Sequence, residues 1–151
     1  DLLLDAYASS KVAHRLVLLT EPDPALTEMI RRRGLSGRVQ VAGFQANPYP
    51  WIAGAELLVL CSDHEGLPNV IIEALILGVP VVSTDCRSGP REILGDTCPD
   101  CLVPVNDVKA LARAIERVLS ERKGSPAVDL SPYSVAHAVA AYERLAAQTN
   151  V

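Results

Sequence analysis

The chain has 151 residues, 49% of them hydrophobic, and a formal net charge of −4 at neutral pH. That length and apolar content suit one domain with a full core, and the acidic balance argues against a nucleic-acid surface, where a basic face must neutralise phosphates. No apolar run approaches the roughly twenty residues needed to cross a bilayer and no signal peptide opens the chain, so a cytoplasmic protein is expected.

Asp1 runs straight into Leu2, Leu3, Leu4, Ala6 and Tyr7, a helical pattern already under way, as expected of a cut rather than a natural terminus. Residues 15–20 are a continuous apolar run and predict a strand buried on both faces. Glu21-Pro22-Asp23-Pro24 is a turn into a helix that runs through Arg33 and ends at Gly34. The triplet Arg31-Arg32-Arg33 then falls in a last helical turn, where positive charge opposes the helix dipole. A second strand covers 39–44, and a loop rich in turn formers leads from Phe44 into a short helix at 50–54. Phe44, Tyr49 and Trp51 either cap the core there or border a ligand.

The next stretch organises the chain. Residues 57–61 predict a buried strand, 81–85 another, and between them lie a turn and a helix. Pro68 suits a first helical position, because its missing N–H is one the helix start does not use, and Gly78 suits the residue just past the end. Free N–H groups around Gly66, Leu67, Pro68, Asn69 and Val70 then attract an anion, most simply a phosphate. Two carboxylates flank them, Glu65 in the turn and Glu73 in the helix, where its neighbours Ile71, Ile72, Ala74, Leu75, Ile76 and Leu77 are all apolar. A carboxylate so bracketed needs a partner or a wet cleft, and a sugar or ribose diol offers two donors to an ion that only accepts.

No Lys or Arg occurs between Arg38 and Arg87. A diphosphate held in this span must rely on backbone N–H groups, on Arg87 and Arg91 in the following loop, or on cations from outside. Asp63-His64-Glu65 admits a rival reading as a divalent-metal site, but the pair of acids directly precedes a helix start, whose positive end disfavours a cation. His64 suits a binding or structural role better than proton transfer. Four cysteines occur: Cys61 and Cys86 fall at strand ends, and Cys98-Pro-Asp-Cys101 is a lone pair without further zinc ligands at the right spacing. A local disulfide is an open alternative there, though it does not fit a reducing cytosol.

A short helix is expected from Pro90 and a fifth strand at 101–105. Asn106 or Asp107 then caps a helix to about Arg122, whose Ala110, Leu111, Ala114, Ile115, Val118 and Leu119 form a core face. After a break at 124–127, Ser131-Pro132 opens a last helix through Ala147, with Val135, Val139 and Tyr142 on one side. Strands alternating with helices imply an α/β fold, a doubly wound and mostly parallel Rossmann-like sheet with its ligand crevice at the strand C-terminal ends.

Glu65-Gly-Leu-Pro-Asn-Val-Ile-Ile-Glu73-Ala-Leu, then Gly78-Val-Pro-Val-Val-Ser-Thr-Asp-Cys and Ser88-Gly-Pro-Arg-Glu-Ile-Leu, resemble the retaining GT-B glycosyltransferases with an E-x7-E motif, glycosyltransferase family 4. Val39-Gln-Val-Ala-Gly-Phe and Asn47-Pro-Tyr-Pro-Trp look like that family's preceding strand and loop. The resemblance implies that 1–151 is a single nucleotide-sugar-binding domain, the C-terminal half of a GT-B fold. A basic segment and an acceptor-binding N-terminal domain would precede it. It assigns Glu65 to donor-sugar hydroxyls and catalysis, Glu73 to the ribose, the backbone of Gly66, Leu67, Pro68 and Asn69 to the diphosphate, and Phe44 to the border of the nucleobase. No metal or other cofactor is implied. The expected partners are a nucleotide sugar and a glycan or lipid-linked acceptor, with the full-length protein peripheral to the inner membrane face. Thr20-Glu21-Pro22-Asp23 departs from the glycine-rich turn that many relatives carry. A free-standing α/β nucleotide-binding or interaction module without catalysis is the alternative, and a sugar-nucleotide epimerase a third reading.

Overall fold

The computed structural model describes residues 1–121 and 124–149. Helix α1 (Leu2–Ser9) is followed by strand β1 (Leu16–Leu18), α2 (Pro24–Arg32), β2 (Val39–Val41), α3 (Tyr49–Ala53), β3 (Leu58–Leu60) and α4 (Asn69–Ile76). Then come β4 (Val81–Thr84), α5 (Pro90–Leu94), β5 (Leu102–Val103), α6 (Val108–Glu121) and α7 (Val135–Thr149). Every strand pairing is parallel: β1 with β2, and β3 with β4 with β5, in two hydrogen-bonded groups. The expected alternation is therefore present, with strands one to three residues shorter than the runs that predict them.

Strand β4 is the spine of the core. All four of its residues are buried, and because successive side chains point to opposite faces it feeds two clusters. Val81 packs with Ile71, Ala74, Leu75 and Leu94 on the side of α4 and α5, and Val82 packs with Ala6, Leu111, Ala114 and Ile115 on the side of α1 and α6. A third cluster of Leu4, Tyr7, Ile30 and Leu35 supports β1 and β2. No helix among the described residues is long and apolar enough to cross a membrane.

Local chemistry sets the helix ends. The Asp23 carboxylate accepts hydrogen bonds from the N–H groups of Ala25 and Leu26 at 2.6 and 3.0 Å, satisfying two of the donors that a helix start leaves over. Asp23→Ala is expected to lower stability by about 1 kcal/mol, read as a fall in the urea midpoint at unchanged slope. Of the two candidate caps before α6, Asp107 is the one used, accepting from the Ala110 N–H at 2.8 Å. The arginine triplet is spent on structure: Arg31 and Arg32 both bind Glu28, and Arg33 ties α2 to α1 through Asp5 at 2.7 Å.

Two expectations change, those for β1 and for the aromatic residues of the 44–51 loop. β1 is not buried on both faces, since Val17 and the following Leu19 are each 37% exposed. Trp51, Tyr49 and Phe44 do not cap the core, being 38%, 51% and 74% exposed, and Ile52 fills that place instead. On α7, Val135, Val139 and Tyr142 face solvent.

Candidate functional site

The C-terminal end of β3 opens into the turn before α4. Pro68 is the cap of this helix rather than its first residue, with its C=O accepting from the Ile71 N–H at 2.9 Å. At the far end Gly78 adopts φ +75°, and the bonds Gly78 N–H to Leu75 C=O and Val79 N–H to Ala74 C=O close the helix. The helix is thus pinned at both ends, with its buried face (Ile71, Ala74, Leu75) on the core. The N–H groups of Gly66, Leu67, Asn69 and Val70 have no partner among the described residues. Such groups carry the positive end of the helix dipole.

Glu65 is half-buried in the turn and is held there. The Ser62 hydroxyl donates to its Oε1 at 2.5 Å, and the Thr84 hydroxyl donates to the Ser62 carbonyl at 2.6 Å. β4 therefore braces the turn through two hydroxyls, leaving the second carboxylate oxygen of Glu65 free to accept. Glu73 is not buried, although its neighbours in sequence are apolar. It is half-exposed on the side of α4 away from the core, four residues after Asn69. At a rise of about 1.5 Å per residue it stands roughly 6 Å beyond Asn69 on the same face. Solvent removes the cost of an unpaired carboxylate, and Glu73 has no side-chain partner among the described residues.

A second loop closes over this turn. Ser88 and Gly89 both have positive φ, +70° and +79°, and they fold the segment after β4 back so that Gly89 is buried against Gly66 and Pro68. A Cβ at position 89 would meet the Gly66 carbonyl oxygen at 2.6 Å and the Pro68 ring closer still. A bridge between His64 and Arg87 ties the two loops at their rim. The concavity on this side, about 480 Å³, is lined by Asp85, Cys86, Arg87, Ser88, Gly89 and Arg91, among others. Arg91 forks onto the Asp85 carboxylate, with its Nε at 3.0 Å from Oδ1, so of the two cations proposed for this loop Arg87 is the one without an ion-pair partner among the described residues.

Glu65, Gly66, Leu67, Pro68, Asn69 and Glu73 thus share one helix mouth and the face running up from it. Phe44 lies at the end of β2, and its N–H donates to Glu21 Oε1 at 3.1 Å. That bond gives the departure at residues 20–23 a role, since Glu21 joins the loops after β1 and β2. Sequence reasoning missed the Ser62–Glu65–Thr84 brace and the seating of Gly89. The first had no signal, because hydroxyl contacts across strands depend on register; the second was visible only as Ser-Gly-Pro. Among the described residues no three His, Cys, Asp or Glu side chains converge as a metal site would require.

The cysteines divide cleanly. Cys98 and Cys101, whose pairing the sequence leaves open, are joined in a disulfide, because the helical turn Pro99–Cys101 brings their Cα atoms to 5.3 Å. Burial pushes the Cys61 thiol up to about 11. Cys86 is raised by burial first and then by the Glu65 charge, which sets it close to the site. Since the thiolate is the nucleophile, neither free thiol should react with iodoacetamide at pH 8 until the protein unfolds, as intact mass before and after urea would show.

The profile of the family Glycosyl transferases group 1 matches residues 1–121. The chain is 36% identical over 124 residues to the N-acetylgalactosamine-N,N'-diacetylbacillosaminyl-diphospho-undecaprenol 4-alpha-N-acetylgalactosaminyltransferase of Campylobacter jejuni, covering 81% of this chain and 34% of that one. It is 40% identical over 88 residues to the lipopolysaccharide core biosynthesis glycosyltransferase LpsE of Rhizobium meliloti, covering 58% of this chain and 26% of that one. In three dimensions it is similar to Anabaena HepE in complex with UDP and glucose, with a TM-score of 0.71 and 26% identity over 80% of this chain and 35% of that one. The chain therefore spans about a third or less of the length of each. The parallel α/β architecture is that of the GT-B glycosyltransferases. With the match running from α1 through α6 and taking in the whole mouth of α4, the chain belongs to the family Glycosyl transferases group 1.

Proposed function

We propose that residues 1–151 form the donor-binding, C-terminal domain of a longer retaining glycosyltransferase, with an acceptor-binding domain ahead of it in the same polypeptide. The observation that carries this reading is the mouth of α4: four unpartnered N–H groups with an acid on either side and no Lys or Arg in the span. Backbone donors at a helix start bind phosphate. A carboxylate that only accepts hydrogen bonds pairs with a diol. A nucleotide diphosphate sugar offers both chemistries on one molecule.

In this reading the amides around Gly66, Leu67, Pro68 and Asn69 face the diphosphate, with Arg87 at the rim as its nearest cation. Glu73 takes ribose hydroxyls, Glu65 takes donor-sugar hydroxyls, and Phe44 borders the base. In the transfer the bond from the anomeric carbon to the diphosphate oxygen breaks and a bond to an acceptor oxygen forms. The acceptor's hydroxyl proton leaves with the diphosphate. Preorganised amides stabilise the charge growing on the leaving group while the sugar gains oxocarbenium character, and that stabilisation requires no dedicated metal. The acceptor is a glycan or a lipid-linked saccharide at the inner membrane face. The names of the Campylobacter and Rhizobium relatives, a diphospho-undecaprenol and a lipopolysaccharide core, support that class. The 1–151 unit alone does not complete transfer.

Calorimetric titration of the full-length protein with UDP-, GDP- and ADP-sugars tests the reading. Saturable binding with preference for one base is expected, and failure to bind any of them would overturn it.

A further inference from the structure

The Cys98–Cys101 disulfide spans Pro99 and Asp100, in the connection between α5 and β5 and outside the proposed donor site. It differs from a structural staple in three respects. A cross-link stabilises by restricting the unfolded chain, and a ring this small restricts it least. Disulfides are densest in small secreted domains that cannot build a core, whereas here buried clusters fill both sides of β4 and support β1 and β2. The two sulfurs are also unequally placed. Cys98 is half-buried, while Cys101 is 5% exposed and belongs to the cluster of Val81, Ile93 and Leu94. An incoming thiolate therefore reaches Cys98 far more readily than Cys101.

The same turn is tied to the α4 mouth through α5. The Gly95 N–H donates to the Arg91 C=O at 2.9 Å and the Cys98 N–H to the Leu94 C=O at 2.7 Å, so the turn prolongs the C-terminal end of α5. Beyond the disulfide, Leu102 opens β5 and pairs with Ser83 of β4. At its other end α5 begins at Pro90, directly after the Gly89 that is seated against Gly66 and Pro68. With five residues at about 1.5 Å each, α5 is a rod of roughly 7.5 Å between the disulfide turn and that seat. Arg117 of α6 holds the turn from outside, donating to the Asp100 C=O with its Nη1 3.5 Å from Asp100 Oδ2.

We propose that Cys98 and Cys101 are a thiol–disulfide exchange site, opened and closed in the folded protein by a dithiol, and that the closed form holds α5 and the loop it seats on the α4 mouth. The effect on donor binding rests on the donor reading above; the exchange chemistry does not. A thiolate of the dithiol attacks Cys98 Sγ, the bond between Cys98 and Cys101 breaks, and Cys101 leaves with the electron pair and takes up a proton. The second thiolate of the dithiol then attacks its own partner's sulfur in the mixed disulfide and releases Cys98, which is protonated in turn. Two electrons and two protons pass to the protein, and the dithiol becomes a disulfide. An oxidised dithiol runs the sequence backwards, with Arg117 keeping the turn in place so that the two sulfurs stay within reach. At the inner membrane face proposed above thiols are kept reduced, and the disulfides found in such compartments are transient ones of catalysis or sensing.

Alkylation of the protein expressed from its full reading frame, after equilibration with reduced or oxidised dithiothreitol, tests this. The reduced protein, still folded by circular dichroism, should take iodoacetamide at Cys98, located by peptide mass, while Cys61 and Cys86 stay unlabelled; the oxidised protein should take none. Hydrogen exchange at the Gly95 and Cys98 amides should be about tenfold or more faster in the reduced form. Titration with UDP-, GDP- and ADP-sugars should find the bound donor held about fivefold or more weakly, the small end of coupling between separate sites. Cys98→Ser should match the reduced protein and ignore the dithiol. A Cys98 that stays unlabelled until urea unfolds the chain would overturn the exchange site. Equal amide exchange in the two forms would overturn the hold on α5, and equal affinity the hold on the mouth. A protein that binds no nucleotide sugar in either form removes the donor reading and the affinity effect with it, while labelling and amide exchange still decide the redox site.

Discussion

Glu73→Ala should weaken nucleotide binding by about tenfold to a hundredfold while leaving thermal stability almost unchanged. The affinity figure follows from the ~1.5–3 kcal/mol that hydrogen bonds to a charged group contribute. The stability expectation follows from the structure. Glu73 is half-exposed on the outer face of α4, no side-chain partner among the described residues holds it, and alanine is the better helix former. Half-exposed and without a side-chain partner among the described residues, Glu73 is free to make the proposed ribose contact. Glu73→Gln keeps the shape but loses the charge and one acceptor, and should fall between wild type and alanine. Nucleotide affinity unchanged in Glu73→Ala, measured by calorimetry, would remove this residue from the site. Glu65→Ala differs in kind, because it also strips the Ser62 hydroxyl of its acceptor and should lower stability by about 1 kcal/mol as well.

That contrast shows where the sequence was informative. The elements around α4 were readable because punctuation and periodicity agree there: an apolar run, a Gly-Leu-Pro turn, a helix of eight residues and Gly78. The order of elements could be read for the same reason. What could not be read is how far each strand is paired. Residues 15–20 have the composition of a doubly buried strand, but only Leu16–Leu18 pair, and on one side alone. Burial depends on neighbours that composition does not name. The environments of the two glutamates were also out of reach. Apolar neighbours in sequence left open whether Glu73 meets a partner or a wet cleft, and the helical repeat turns it away from Ile71, Ala74 and Leu75. The rigidity of Glu65 comes from β4 through Ser62 and Thr84, a contact 22 residues distant in the chain.

The same logic makes Gly89 the most consequential small residue of the site. Gly89→Ala should destabilise the protein by about 2–5 kcal/mol, through two costs that a control separates. One is conformational: with φ at +79°, a side chain enters the left-handed region at about 1–2 kcal/mol. The other is steric, because the added Cβ would stand 2.6 Å from the Gly66 carbonyl oxygen and against the Pro68 ring, and overpacking of this kind costs about 1–3 kcal/mol. Gly78→Ala carries only the first cost, since φ there is +75° and nothing lies within 4 Å of the added atom. The difference between the two midpoints in urea therefore isolates the packing of the 86–90 loop on the α4 turn. If that packing positions the amides of Gly66 and Leu67, Gly89→Ala should also lose nucleotide affinity and Gly78→Ala should not. Equal destabilisation of the two variants would mean that the loops are not seated on one another as described. Equal nucleotide affinity would mean that the amides find their geometry without Gly89.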